Sequence, residues 1–227
     1  MKKLAAIILI LSIFFIGIND LALADSKNKV VIFEYDGISK GDTSDTKFSV
    51  FKGILKDKIS DLERYILHDE THSIKDSQKI YVNYMNEDTF TTKDGVLRWL
   101  KNQSSVLCLL RGTIVSDDNV HYIVKSHFYL GELKGDFPYD VIKISLPVSS
   151  KELGNTQDSH SIVILYALAM ESRRIGMSNS KIAKVLFPAI DKLADIKRRG
   201  GLSHDLVKLE SVLMQIQQEM QRGGDVQ

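Results

Sequence analysis

Two runs near the middle of the chain restrict its fold more than any other feature. VLCLLRGTIV (106–115) and VHYIVKSHFYL (120–130) are rich in β-branched and aromatic residues, and Ser116-Asp117-Asp118-Asn119 joins them with turn formers alone. Two such runs with so short a connection predict an antiparallel hairpin. A third run, YDVIKISLPV (139–148), follows GELKGDFP and extends the meander. Its Val141, Lys143 and Ser145 alternate with Ile142, Ile144 and Leu146, which predicts one wet face and one packed face.

Ahead of the meander, strand and helix signals alternate. KVVIFEYDG (29–37) reads as a buried strand closed by an Asp-Gly turn. A helix is expected over 47–66, where Phe48, Phe51, Leu55, Ile59, Leu62 and Ile66 recur at steps of three and four. KIYVNYM (79–85) is a second strand, and TTKDGVLRWLKNQ (91–103) a shorter helix with Thr92 as N-cap and Val96, Trp99 and Leu100 turned inward. Together these segments predict an α+β protein, a mixed sheet with two helices packed on it.

Beyond residue 150 the pattern is helical throughout. Helices are expected over 159–175, 179–197 and 203–220. Gly176 and Gly200 stand at helix ends, and Ser180, Ser203 and Asp205 where caps belong. Pro188 predicts a kink or a break in the second helix. The three form an antiparallel bundle, so the chain divides into an αβ domain (25–150) and a helical region (151–227).

Residues 1–24 read as an export signal. Lys2 and Lys3 precede an apolar run of about 15 residues, short of the ~20 that cross a bilayer, and Ala22-Leu23-Ala24 suits cleavage after Ala24. A periplasmic or secreted location is expected. Lys plus Arg number 30 and Asp plus Glu 29, and the signal removes Lys2, Lys3 and Asp20. The remaining 28 of each sign argue against nucleic-acid binding. Cys108 is the only cysteine, so no intrachain disulfide can form. Its neighbours Leu107 and Leu109 predict a buried, inert thiol.

The first half, VVIFEYDG followed by an amphipathic helix and LLRGTIVSDDNVHYIVKSHFYLGELKG, resembles the amino-terminal domain of the translocation protein TolB and related domains of flagellar and curli envelope proteins. The matching positions are Leu110, Gly112, Asn119, Tyr122 and Gly131. The helical region resembles a tetratricopeptide-type helix pair, with Ala167 and Ala169 on one helix, Gly176 at its end, and Ala183 and Phe187 on the next. One such unit cannot bury both of its faces, so it needs something to dock on. The resemblance implies a non-enzymatic envelope module that binds other proteins.

In HDETH (68–72) Asp69 stands where a zinc peptidase needs glutamate, and Thr71 where the inverted motif needs it. A solvated surface is therefore expected there, with His68, Glu70 and His72 the candidate ligands of a metal-dependent hydrolase, the rival reading. His121 and His127 share one face of a strand about 20 Å apart, too far for one metal ion. Helix capping or solvent exposure accounts for His160 and His204. No phosphate cradle or nucleophile elbow occurs. The loop 37–46 is a second alternative, a small-ligand site.

The expected function is a protein-binding accessory or assembly factor of the cell envelope, with no cofactor. Its partner is an envelope or secreted protein, with peripheral contact to membrane or cell wall through the basic helix ends. Tyr122, Phe128 and Tyr129 at the meander edge, and Arg173 and Arg174 closing a helix, are the expected contact residues, and the groove between the helices after Ser159 is a second place for a partner helix or peptide.

Overall fold

A computed structural model describes residues 29–33, 36–38, 53, 57, 81–85, 92–116, 121–130, 141–149, 154–200 and 203–222. In chain order the elements are β1 (Lys29–Phe33), β2 (Asp36–Ile38), β3 (Tyr81–Met85), α1 (Lys93–Lys101), β4 (Val106–Ser116), β5 (His121–Leu130), β6 (Val141–Ser149), α2 (Gly154–Arg174), α3 (Asn179–Arg198) and α4 (His204–Arg222). The α+β class read from the sequence is the class of the structure. Of the helix expected over 47–66, only Gly53 and Asp57 are described; both are helical and exposed. The remainder of that helix lies outside the described residues.

The hairpin and its extension form the antiparallel half of the sheet. β4 pairs with β5 from Cys108↔Leu130 to Ser116↔Tyr122, and β5 with β6 from His121↔Ser149 to Tyr129↔Val141. The other half is parallel. β1 and then β2 lie along the far side of β4, and β3 lies outside β1. The order is β3-β1-β4-β5-β6, with β2 beside β4. Leu107 is an extra residue opposite the step from Lys29 to Val30, so Val106 and Leu109 face one side of the sheet while Leu107 and Cys108 face the other.

Because side chains alternate, each face of the sheet has its own core. Val31, Phe33, Val106, Leu109 and Tyr129 pack with Val96 and Leu100 of α1. Thr92 caps that helix as expected, its Oγ1 accepting the Gly95 N–H at 3.1 Å. Opposite, Val30, Ile32, Leu110, Tyr122, Val124, Phe128, Ile142 and Ile144 join α2, α3 and α4 in one continuous cluster. This cluster spans residue 150: the sheet and the helices share it.

α2 is the centre of that layer. It starts at Gly154, ahead of the Ser159 expected, and is buried at every position from Ser159 to Ser172. Such burial means that the helix is surrounded rather than laid on a surface. It contacts β4, β5 and β6 on one side and α3 on the other. Three of its serines are satisfied within the helix: Ser159, Ser161 and Ser172 donate to the carbonyls of Asn155, Gln157 and Leu168. α2 ends at Gly176, φ 75°, where the Met177 N–H reaches the Ser172 carbonyl at 2.9 Å and the Gly176 N–H that of Arg173 at 3.1 Å.

Two helix-level expectations are corrected. Ser178, not Ser180, is the N-cap residue of α3, because the turn after Gly176 is only a few residues long. α3 runs through Pro188 without a break, and Pro188 is half-buried. Ile182, Val185, Leu186 and Ala189 pack on both sides of it, and their burial holds the helix together despite the missing N–H.

Candidate functional site

The contact residues expected from the sequence go to different places. Tyr122, Phe128 and Tyr129 are only 2 %, 0 % and 5 % exposed. The expected edge position is corrected by the sheet order: β5 lies between β4 and β6, so its side chains point into the two cores instead of outward. Arg173 and Arg174 do lie at the end of α2, but both are ion-paired, Arg173 to Glu219 at 3.1 Å and Arg174 to the nearly buried Glu171 at 2.7 Å. The cations ending α3 behave alike. Lys197 reaches Glu210 of α4 at 2.9 Å, Arg199 reaches Asp158 of α2 at 2.6 Å, and Arg198 pairs with Asp195. Arg173, Lys197 and Arg199 thus join one helix to another, while Arg174 and Arg198 pair within their own helix, and all of them complement the helix dipoles. Residues His68, Glu70 and His72, and residues 39–46 of the candidate ligand loop, lie outside the described residues. Among the described residues no cluster of His, Cys, Asp and Glu could hold a metal ion.

His160 is a correction of a different kind. It is fully buried rather than capping or exposed. Its Nδ1 lies 2.5 Å from the Thr156 carbonyl and its Nε2 2.8 Å from Ser126 Oγ, while the Phe128 ring meets it edge-on. A carbonyl only accepts, so Nδ1 carries the proton and the Ser126 hydroxyl donates to Nε2. Burial is the larger influence on the imidazole and lowers its pKa from 6.5 to about 4, against the opposing hydrogen bond to Thr156. The hydroxyl–imidazole–carbonyl arrangement is that of a nucleophile and base. Both residues are 0 % exposed, however, so no substrate reaches them. The pair ties α2 to β5 through the core. Cys108 is likewise sealed, and burial pushes its thiol up to about 12.

The exposed chemistry is on the opposite face, where β4, β5 and β6 continue past α1. The register groups the side chains into rows across the three strands. Leu109, Tyr129 and Val141 form an apolar row next to α1. The next row is Arg111, His127 and Lys143, basic at all three positions. Thr113, Lys125 and Ser145 follow, then Val115, Ile123 and Pro147. Lys125, Lys143, Ser145 and Pro147 are exposed, and Arg111 and His127 half-buried. The Tyr129 ring meets the His127 imidazole edge-on at 6.4 Å. Burial, then Lys143, Arg111 and Lys125, depress the His127 pKa below 6.5, so the imidazole is held neutral among three permanent cations.

β6 is an edge strand, yet a protected one. Asp205 of α4 accepts the Lys143 N–H at 2.9 Å. That N–H points away from β5, so by the period of two the nitrogen of Pro147 does too, and it has no hydrogen to offer. An exposed lysine and an outward proline discourage pairing with another strand.

A smaller feature is a cleft of about 200 Å³ between the ends of α2, α3 and α4, lined by Arg173, Asn179, Ile182, Ile216, Glu219 and Met220. It is below the ~300 Å³ at which small-molecule pockets begin.

No protein-family model and no curated protein matches the chain. Among solved structures, a neuraminyllactose-binding hemagglutinin homolog from Helicobacter pylori is similar at 14% identity and a TM-score of 0.28. The match covers 54% of this chain and 66% of that one, less than two thirds of its length. A likeness of that size carries no argument about the fold or the function.

The sequence offered His127 as an ordinary half-exposed residue, and nothing local marked Arg111 or Lys143. Only the pairing of the three strands makes them neighbours.

Proposed function

We propose that this chain is an exported, non-catalytic accessory factor of the bacterial cell envelope that acts by binding another protein. The observation that carries the reading is the open part of the sheet face. It presents basic, hydroxyl and apolar rows on a rigid support whose other side is sealed by three helices. Rigid strands hold contact residues more accurately than loops do, and a polar surface with an aromatic and apolar border is how non-obligate interfaces are composed. The amino-terminal segment 1–24, read as a signal cleaved after Ala24, supports the periplasmic or secreted location. The resemblance to the TolB amino-terminal domain supports the class of partner, an envelope protein.

The test is a photo-crosslinking residue placed at Ser145 on the open face or, as control, at Asp191 on the exposed side of α3, in the full chain within intact envelopes. Both positions are exposed. A discrete protein adduct from position 145 that is missing from position 191 is the expected result. No adduct from either position, or the same adducts from both, overturns the reading.

A further inference from the structure

We propose that Lys125 and Lys143, flanking His127 on the open face, receive the carboxylates of an acidic segment of a partner polypeptide. This rests on the protein-binding reading above and gives the partner its chemistry.

The placement is the first argument. The register sets Arg111 opposite His127 and His127 opposite Lys143, with Lys125 one row away on the same face. Like charges directly across strands are destabilising, and ordinary sheets alternate them with acids or polar groups. Here Arg111, Lys125 and Lys143 surround one neutral imidazole and the three exposed rows hold no acid, and places where a sequence breaks such a local rule are typically functional.

The second argument is contrast within the molecule. The cations at the ends of α2 and α3 are matched to Glu219, Glu171, Glu210, Asp195 and Asp158. Lys125 and Lys143 form no ion pair among the described residues. Asp205, which reaches β6 from α4, is engaged by the Lys143 backbone N–H and by Lys208 at 3.7 Å. Among the described residues, the cations ending α2 and α3 are thus matched by acids, whereas Lys125 and Lys143 on the sheet are not.

Size and surroundings select the partner. Strands about 4.8 Å apart make the row about 10 Å wide, and two rows span about 7 Å along the strands. That area fits two or three carboxylates of one chain segment, with the exposed Lys125 and Lys143 turned toward them. A bilayer surface needs a broader basic patch and an apolar residue to insert. The described exposed large apolar side chains, Met85, Val207 and Met214, are on β3 and α4, away from this row. The half-exposed Val115 and Ile123 with Pro147, two rows away, instead suit the apolar flank of a peptide.

His127 reports on occupancy, since a bound carboxylate favours the imidazolium and must raise its pKa as protonation strengthens binding. The groups facing the imidazole are Arg111, Lys125, Lys143 and the Tyr129 ring. The experiment follows the His127 ring resonance by NMR in the full chain, against pH, with hexaglutamate, inorganic phosphate or phosphatidylglycerol vesicles. Expected are a saturable response to hexaglutamate, a rise of the His127 pKa by half a unit or more, and at least tenfold weaker binding in Lys125→Glu/Lys143→Glu. Lys143→Arg should bind as the parent does. Several outcomes overturn the proposal: no response to hexaglutamate, an equal response to phosphate, a response to vesicles alone, or undiminished binding by the double variant. So does a free chain in which His127 already titrates at or above 6.5, which would place this chain's own carboxylates on the row, or a shift that follows protein concentration, which would place a second copy there. A crosslink at position 145 without a hexaglutamate response removes the acidic partner and leaves the protein-binding reading. A response without the crosslink removes that reading instead.

Discussion

The two faces of one sheet are built from the same three strands and obey opposite rules. On the helix-covered face, Phe128 and Ile142 lie opposite each other in an apolar core, and two of the polar groups buried there, Ser126 and His160, satisfy one another. On the open face, one residue along, Arg111 and Lys143 lie on either side of the neutral His127, with no acid in their row. Burial penalises a polar group left without a partner inside the molecule, whereas an exposed face can leave its demands to be met from outside. The difference separates residues chosen for folding from residues available for recognition.

The most severe way to break the comparison is to remove the cover from the sealed face. A chain ending at residue 150 loses α2, α3 and α4 and exposes Tyr122, Val124, Phe128, Ile142, Ile144, Leu146 and Val148. The loss exceeds the roughly 5–15 kcal/mol by which such domains are stable. No cooperative urea transition and no near-ultraviolet circular dichroism are expected from 25–150. A cooperative transition in that fragment would show that the α1 side suffices.

A milder probe is acid. His160 is neutral in the folded protein with its pKa lowered to about 4, against 6.5 when unfolded. A folded pKa below the unfolded one means that the unfolded chain takes up the proton first, so stability is full above 6.5 and declines as pH falls to about 4. The difference corresponds to ~3 kcal/mol, spread over that window. Urea titrations at pH 7 and pH 4.5 measure it. A His160→Gln variant, less stable at pH 7, should lose this part of the pH dependence; an unchanged acid profile would place the sensitive group elsewhere. Ser126→Ala leaves Nε2 without its donor and should cost about 1–3 kcal/mol at pH 7.

How much of this was readable beforehand follows from the range of each signal. Alternation in 141–148 and spacing in 91–103 are local, and β6 and α1 formed as read. The glycine stop at 176 is local too, and its positive φ bears it out. α2 was read as one member of a bundle, although Ile162 to Met170 is apolar without a gap, a mark of all-round burial that was there to use. The open face was harder. A turn at Ser116 to Asn119 puts Val115 opposite Val120 and hence Arg111 opposite Val124, whereas the true partner is His127, three residues on. An odd shift reverses which residues share a face. The basic row therefore stayed out of sight until the register was known. His160 was hidden for a related reason: its partner Ser126 is 34 positions away on another element.

The gentlest test sharpens the comparison from the open side. If the row of like charges is a cost that folding tolerates, reversing one charge should relieve it. Lys143→Glu places a carboxylate opposite His127 and one strand from Arg111, on an exposed position where no packing is lost. Cross-strand pairs of opposite sign contribute about 0.2–1 kcal/mol, so the variant should be more stable than the parent by about that amount, and less so in high salt. His127 should also titrate higher, because one of the cations holding its pKa down has become an anion. The same substitution on a surface with no conflict would be neutral or mildly destabilising. A stabilising change that removes a capacity to bind is the expected mark of a site kept for function at the expense of the fold. If Lys143→Glu destabilises the protein instead, the row is already balanced from within, and the two faces differ only in exposure.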